Sequence, residues 1–236
     1  MSGIIKKASA KFIALSLLAI ATACSSAPNE APKVASQKPV VKVALEQRPS
    51  EINVAVQGKI TRTGEVYLLR GLANVFSRGM DTLGVKMVRS GMDARVYNHA
   101  AWRELADNIL LRAKRKQVSY PIIIMGHSLG ANAATTMAKY LGDRGVKVSY
   151  VVAFDPTVPT AVGKNVNRVI NFYLPNEDRS NIVQKAPGFR GVLKNINVRG
   201  VRGLTHTTIE KDPKFHSEVI KRTLTYTKKR RRSKNI

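Results

Sequence analysis

Ser128 is the residue from which chemistry can be read first. It stands in Gly126-His127-Ser128-Leu129-Gly130, after the apolar run Ile122 to Met125 and before the helix-forming run Leu129 to Leu141. A G-x-S-x-G segment between a buried strand and a helix can hold a serine hydroxyl above a sheet on a tight turn. Gly126 and Gly130 suit that turn, because a Cβ at either would collide with the neighbouring helix or strand. The helix start behind Ser128 puts the Leu129 N–H where an oxyanion would form. A serine hydroxyl is a poor nucleophile at neutral pH and needs a base. The chain has four histidines. His127 lies inside the turn, directed away from Ser128, and reads as a packing residue. His99 precedes the turn. His216 falls in the last helix and reads as a surface residue. His206 falls in RGVRGLTHTT, after the last expected strand and before the last helix, where this chain order carries its base. The acid should lie between Ser128 and His206. Asp143, Asp155, Glu177 and Asp178 qualify by position. Asp143 reads as a surface residue at the end of the helix after Ser128. Asp155 follows the apolar run VSYVVAF, at the carboxyl end of a strand, where ligands bind in open α/β sheets. Asp178 follows the next strand, and order alone leaves both open.

The elements that must position these residues follow from periodicity. Ile52 to Ile60 alternates and predicts an edge strand. Glu65 to Arg70, Asp93 to Asn98, Pro121 to Met125, Val146 to Phe154, Val166 to Tyr173 and Val192 to Val198 read as further short strands. Helices are expected over 72–90, with Phe76, Met80, Leu83 and Met87 on one face, and over 100–117, with Trp102, Leu105, Ile109 and Ala113 on one face. The latter helix would hold its cations, Arg112 to Lys116 among them, on the solvated side. Two more helices follow, over 129–141 and 215–226. Strands alternating with helices of this length predict an α/β fold with a doubly wound, mostly parallel sheet and helices on both faces.

The segment GHSLGANAA, with FDPTVP beginning at Phe154, resembles the α/β-hydrolase superfamily and its lipase and esterase members. It is similar in particular to the pancreatic-lipase group. That resemblance covers roughly 65–226 and implies a Ser128, Asp155, His206 triad. The strand RVINFY followed by an acid is similar to the fungal-lipase arrangement and keeps Asp178 as the alternative acid. In this superfamily the second oxyanion donor follows the first central strand. That place holds Arg70-Gly71-Leu72 here, which makes the Leu72 N–H the expected donor and Arg70 a departure from the usual His. No long insertion follows Asp155, so a lid of the triglyceride-lipase kind is not expected. The implied activity is hydrolysis of carboxylic esters or thioesters through an acyl-enzyme, with no cofactor and no metal.

Composition bounds where this would happen. The chain has 236 residues, 40 Lys+Arg and 15 Asp+Glu, a formal net charge of +25. Hydrophobic residues make up 44%, enough to bury a core, which excludes wholesale disorder. A single cysteine excludes a disulfide framework and a cysteine-based zinc site. Lys6, Lys7 and Lys11 precede the apolar run Phe12 to Ala23, which falls well short of the roughly 20 residues needed to span a bilayer. This pattern predicts a secretory signal over 1–23. Ala21-Thr22-Ala23-Cys24 resembles a bacterial lipobox, with Ala21 where Leu is usual, and implies lipidation at Cys24. Ordinary cleavage after Ala23 is the alternative and would give a soluble periplasmic or secreted protein. Residues 24–50, with four prolines, read as a tether, 51–227 as the hydrolase domain and 228–236 as a basic tail. Removing the signal takes away three lysines and no acid, so a net +22 remains. An exported basic protein meets anionic lipids, lipopolysaccharide and wall polymers. The expected location is therefore the cell envelope, with an anionic membrane or envelope surface as partner beside the acyl substrate. Nucleic acid is disfavoured by the signal, by 6% aromatics and by the lack of a recognised motif. The competing function class is an inactive envelope lipoprotein that binds anionic polymers or lipids on a hydrolase scaffold. Oligomeric state is not set by the sequence.

Overall fold

In the computed structural model, residues 58–72, 77–175 and 181–230 are described, all within one compact unit of 39–236. Six parallel strands form the main sheet. They are β1 (Glu65–Arg70), β2 (Asp93–Asn98), β3 (Ile122–His127), β4 (Val148–Phe154), β6 (Arg168–Tyr173) and β8 (Val192–Asn197), in the order β2-β1-β3-β4-β6-β8. Two short strands, β5 (Thr160–Val162) and β7 (Val183–Lys185), pair in parallel as a separate ribbon. Four helices connect them: α1 (Arg78–Arg89), α2 (Trp102–Lys114), α3 (Leu129–Asp143) and α4 (Pro213–Tyr226). The chain winds outward from β1 and β3 in both directions, so the sheet is doubly wound, as expected.

Alternation along the strands splits the core in two. Tyr67, Leu69, Ile122, Ile124, Val151 and Ala153 face α2 and α3, where Leu105, Ile109, Ala134, Met137 and Leu141 cover them. Val66, Leu68, Ile123, Met125, Val152 and Phe154 face the other way, toward Met80, Leu83 and Met87 of α1 and Val219 of α4. Both faces of β3 and β4 are buried, which is why those runs carry no alternation in polarity. α4 starts at Asp212, whose carboxylate accepts from the N–H groups of Lys214 and Phe215 at 2.7 and 3.2 Å, with Pro213 at the first helical position.

Two sequence expectations are corrected, those for the helix over 72–90 and for Arg112, and a third falls mostly on residues that are not described. The strand expected over 52–60 lies mostly outside the described residues, and 58–60 are irregular. Just after it, Thr61 N–H donates to Gly91 O, and Arg62 bridges Lys229 in antiparallel fashion. The helix expected over 72–90 is described only from Arg78, because Ser77 is non-helical (φ −107°, ψ 35°) and its side chain is engaged elsewhere. Arg112 is not a solvated cation. It is buried against Glu65, with both guanidinium ends 2.8 Å from the two carboxylate oxygens, and also donates to Asn108 Oδ1 and Tyr67 Oη. The 3.6-residue period explains this, since Arg112 falls three residues after Ile109 and seven after Leu105, on the buried face.

Candidate functional site

All six strands of the main sheet point the same way, so the loops after β1, β3, β4 and β8 gather at one edge. Ser128 joins β3 to α3 there. Its backbone sits at φ 58°, ψ −124°, a conformation that costs a non-glycine residue on the order of 1–3 kcal/mol. Its N–H donates to Phe154 O at 3.0 Å, which ties the turn to β4. The flanking glycines are sterically required. A Cβ on Gly126 would lie 2.0 Å from Gly130 O, and one on Gly130 would lie 2.1 Å from Leu69 O. Helix and strand thus touch backbone to backbone, and the serine is squeezed out at the top. Leu129 opens α3, so its N–H has no carbonyl one turn earlier within the helix to bond.

His206 and Asp155 meet Ser128 from two other loops. His206 Nε2 is 3.0 Å from Ser128 Oγ, and His206 Nδ1 is 2.7 Å from Asp155 Oδ2. A proton on Nδ1 satisfies the carboxylate and leaves Nε2 to accept from the hydroxyl. Asp155 is 2% exposed and sits at φ 49° just past β4. Its other oxygen accepts from Leu174 N–H and Asn181 Nδ2, both at 3.0 Å. Three donors around one buried carboxylate hold it in place. His206 is 44% exposed at its side chain, so its ring is reachable from solvent. Ser128, Asp155 and His206 are therefore brought together, although they are far apart in sequence. Asp178 and Cys24 lie outside the described residues. Leu72 is described and 61% exposed, next to Gly71, which has no room for a Cβ against Ser128.

Behind this row lies a second set of polar groups. Gly71 N–H donates to Ser77 Oγ at 2.9 Å, and Ser77 Oγ is 2.8 Å from His127 Nδ1. His127 Nε2 is 2.7 Å from the backbone oxygen of His206. Burial pushes His127 down to about 4, so it is neutral. Its single proton must then sit on Nε2 to meet the carbonyl, and Ser77 donates to Nδ1. The chain of bonds fastens the loop of Gly71 to the loop of His206 through the turn itself. His127 was expected to be mere packing and is instead the middle of this link. Glu210 lies beyond it, 3.9 Å from His127 Nε2 and fully buried. Burial pushes its carboxyl up to about 7. His216, expected at the surface, is 1% exposed and donates from Nε2 to Glu210 O at 2.6 Å. Lys86 donates to its Nδ1 at 3.1 Å, and burial lowers its pKa. Its place is legible in hindsight, three residues before Val219 and seven before Thr223 on the inner face of α4. Ser77 and Glu210 carried no sequence signal, since their partners come from distant segments. Among the described residues, no cluster of three His, Cys, Asp or Glu side chains is arranged to hold a metal.

The Lipase (class 3) family matches residues 50–165, just under half of the chain, a span that includes Ser128 and Asp155 but ends before His206. No curated protein matches the chain significantly. Solved structures similar to it include the NocB thioesterase domain from the nocardicin cluster, at 13% identity and TM-score 0.40, covering 69% of this chain and 94% of that one. Another is the Vlm2 thioesterase domain, also at 13% and 0.40, covering 70% and 92%. Sheet order, the turn at Ser128 and the lipase match agree on an α/β-hydrolase fold.

Proposed function

We propose that this protein is a serine hydrolase of carboxylic esters or thioesters, working through an acyl-enzyme. The observation that carries this reading is the row Ser128 Oγ to His206 Nε2 at 3.0 Å and His206 Nδ1 to Asp155 Oδ2 at 2.7 Å. In this reading His206 takes the hydroxyl proton as Ser128 attacks the acyl carbonyl, and Asp155 holds the tautomer and stabilises the imidazolium. The N–H groups of Leu129 and Leu72 receive the oxyanion. The imidazolium then protonates the leaving alcohol or thiol. Water, deprotonated by His206, attacks the acyl-enzyme and releases the acid with Ser128 restored. Exposed Leu72, Val158 and Val201 lie on loops at the same edge and supply apolar surface for an acyl chain. The four residues between Asp155 and β5 leave no room for a lid there, which favours small or medium acyl groups.

The location belongs to the same proposal: export by residues 1–23, lipid attachment at Cys24 and residence in the cell envelope. Outer-membrane anchoring on the periplasmic side fits Ser25 after the cysteine. The deciding experiment is labelling with a fluorophosphonate, which should mark the wild type and not Ser128→Ala. An unlabelled, folded wild type overturns the hydrolase reading. Asp155→Asn should lose far more p-nitrophenyl butyrate activity than Asp178→Asn, and the reverse ranking reassigns the acid. Labelled palmitate should enter the wild type and not Cys24→Ala.

A further inference from the structure

The charges of this chain are sorted along the strand axis. In a parallel sheet with returning helices, each helix begins at the carboxyl edge of the sheet and ends at its amino edge. Helix dipoles then favour acids at the first edge and cations at the second. Six of the ten described acids follow that rule: Asp81, Glu104, Asp107, Asp155, Glu210 and Asp212 lie on loops or early helical turns at the edge of Ser128. Glu218 falls midway along α4, and only Glu65, Asp93 and Asp143 lie at the amino edge, each already paired, with Arg112, Arg95 and Lys139 respectively. Exposed cations line that edge strand by strand. Lys116 precedes β3, Lys147 precedes β4, Lys164 precedes β6 and Arg190 precedes β8. Lys147, Lys164 and Arg190 share one open cavity of about 640 Å³, whose walls include Asn165 and Asn167 and no acid.

Both ends of the described unit come to the same edge. Thr63 N–H donates to Lys228 O, and Arg230 N–H donates to Thr61 O. Lys228, Lys229 and Arg230 therefore extend the cationic row past β1. Exposed Tyr120 and Ile60 sit among these cations, and such side chains suit the headgroup layer of a bilayer.

We propose that the amino edge of the sheet is a docking surface for an anionic lipid bilayer, and that it holds the Ser128–His206–Asp155 row facing away from that membrane. Strands of six or seven residues separate the two edges by about 20 Å. The choice of lipid over nucleic acid rests on the export reading above, whereas docking itself does not require hydrolysis. A membrane held at the amino edge leaves the site open to substrates arriving through water, and keeps it off the lipids of the surface it stands on.

The test uses residues 25–236, which retain the whole compact unit. Phosphatidylcholine vesicles containing phosphatidylglycerol should bind the protein, pure phosphatidylcholine should not, and high salt should weaken binding. Lys147→Gln with Lys164→Gln and Arg190→Gln should cut affinity at least roughly tenfold. A matched set at the opposite edge, Arg78→Gln with Arg202→Gln and Lys214→Gln, should change it less than about twofold by the same reasoning. All six side chains are exposed, and thermal melting checks that each set stays folded. Residues 25–236 contain no cysteine, so a fluorophore at Asn167→Cys or Val201→Cys reports orientation. A headgroup quencher should reach the first and not the second. Equal losses from both sets, the reverse quenching pattern, or binding to DNA or polyphosphate without binding to vesicles each overturns the proposal. Failure of fluorophosphonate labelling would leave every one of these readouts unchanged.

Discussion

Two carboxylates, Glu65 and Glu210, are buried on opposite faces of one sheet and are treated differently. Glu65 meets Arg112 through both oxygens, and also accepts from Tyr67 Oη at 2.6 Å and Ser119 N–H at 2.9 Å. Neither carboxylate oxygen of Glu210 meets a side-chain partner among the described residues, and the backbone N–H groups of Gly79 and Glu210 offset its burial only in part. Its neighbours are His127, itself neutral, and Lys211 at 4.0 Å. A buried charge that is fully bonded belongs to the scaffold, because removing its partner exposes the whole cost of desolvation. A buried carboxyl without a charged or side-chain partner instead changes protonation state near neutral pH. The second sits one residue layer behind His206 and the first is far from it, so the contrast follows the site.

Three substitutions can break or sharpen that contrast. Arg112→Met should be the most damaging, destabilising the fold by about 3–5 kcal/mol, with most of the loss recovered in the Glu65→Leu/Arg112→Met pair. Urea denaturation measures it. Fluorophosphonate labelling per folded molecule should stay unchanged, and a labelling defect would mean that the Glu65 cluster is not purely structural.

Glu210→Gln should act in the opposite sense and only at higher pH. Burial raises the folded carboxyl from 4.5 to about 7, so the fold favours the protonated form. Below pH 4.5 that form prevails in both folded and unfolded chains, and the substitution should be nearly neutral. Between pH 4.5 and about 7 the unfolded carboxyl gives up its proton while the folded one keeps it, so across that window the wild type loses up to about 3 kcal/mol that the Gln variant keeps, and above it the difference is constant. His127 titrates in the other direction between about 4 and 6.5, but it is common to both proteins and cancels in the difference. Melting temperatures of the two proteins should therefore diverge with rising pH. Parallel curves would show that Glu210 is bonded after all.

Ser77→Ala should have the smallest effect on stability, about 1–3 kcal/mol for leaving Gly71 N–H and His127 Nδ1 unbonded. Its effect on rate should be clearer, a fall in kcat of roughly tenfold with KM little changed, since it loosens the loops holding the base and the oxyanion donor without touching substrate. A KM effect alone would mean that Ser77 serves binding rather than position.

The parts of this molecule that were legible in the sequence are those fixed by local rules. The strand, turn and helix around Ser128 are contiguous, and their two glycines are required by contacts within 61 residues of chain, from Leu69 to Gly130. The apolar runs of β3 and β4 and the inner face of α1 also follow from local period. Asp155 and His206 were found because chain order and strand ends constrain them. The second polar set was not legible, because Ser77 and His127 are 50 residues apart and His127 reaches 79 further to the His206 carbonyl. Arg112 and His216 were misplaced for a different reason. Both stand at helical positions that face inward, and charge was allowed to outweigh period.

The meeting of Arg62 with Lys229 brings residues 58 and 230 near each other, so that the described stretch between them is nearly a ring. A short link from residue 230 back to residue 58 would close it without crossing an element. The chain could then be opened elsewhere, for instance at Gly145, an exposed turn at φ 85° with nothing within 4 Å of where a Cβ would stand. In such a circular permutant β4 would become the first strand and α3 the last helix. Ser128 and Asp155 would lie near opposite ends of the polypeptide, and the sheet would still bring them to His206.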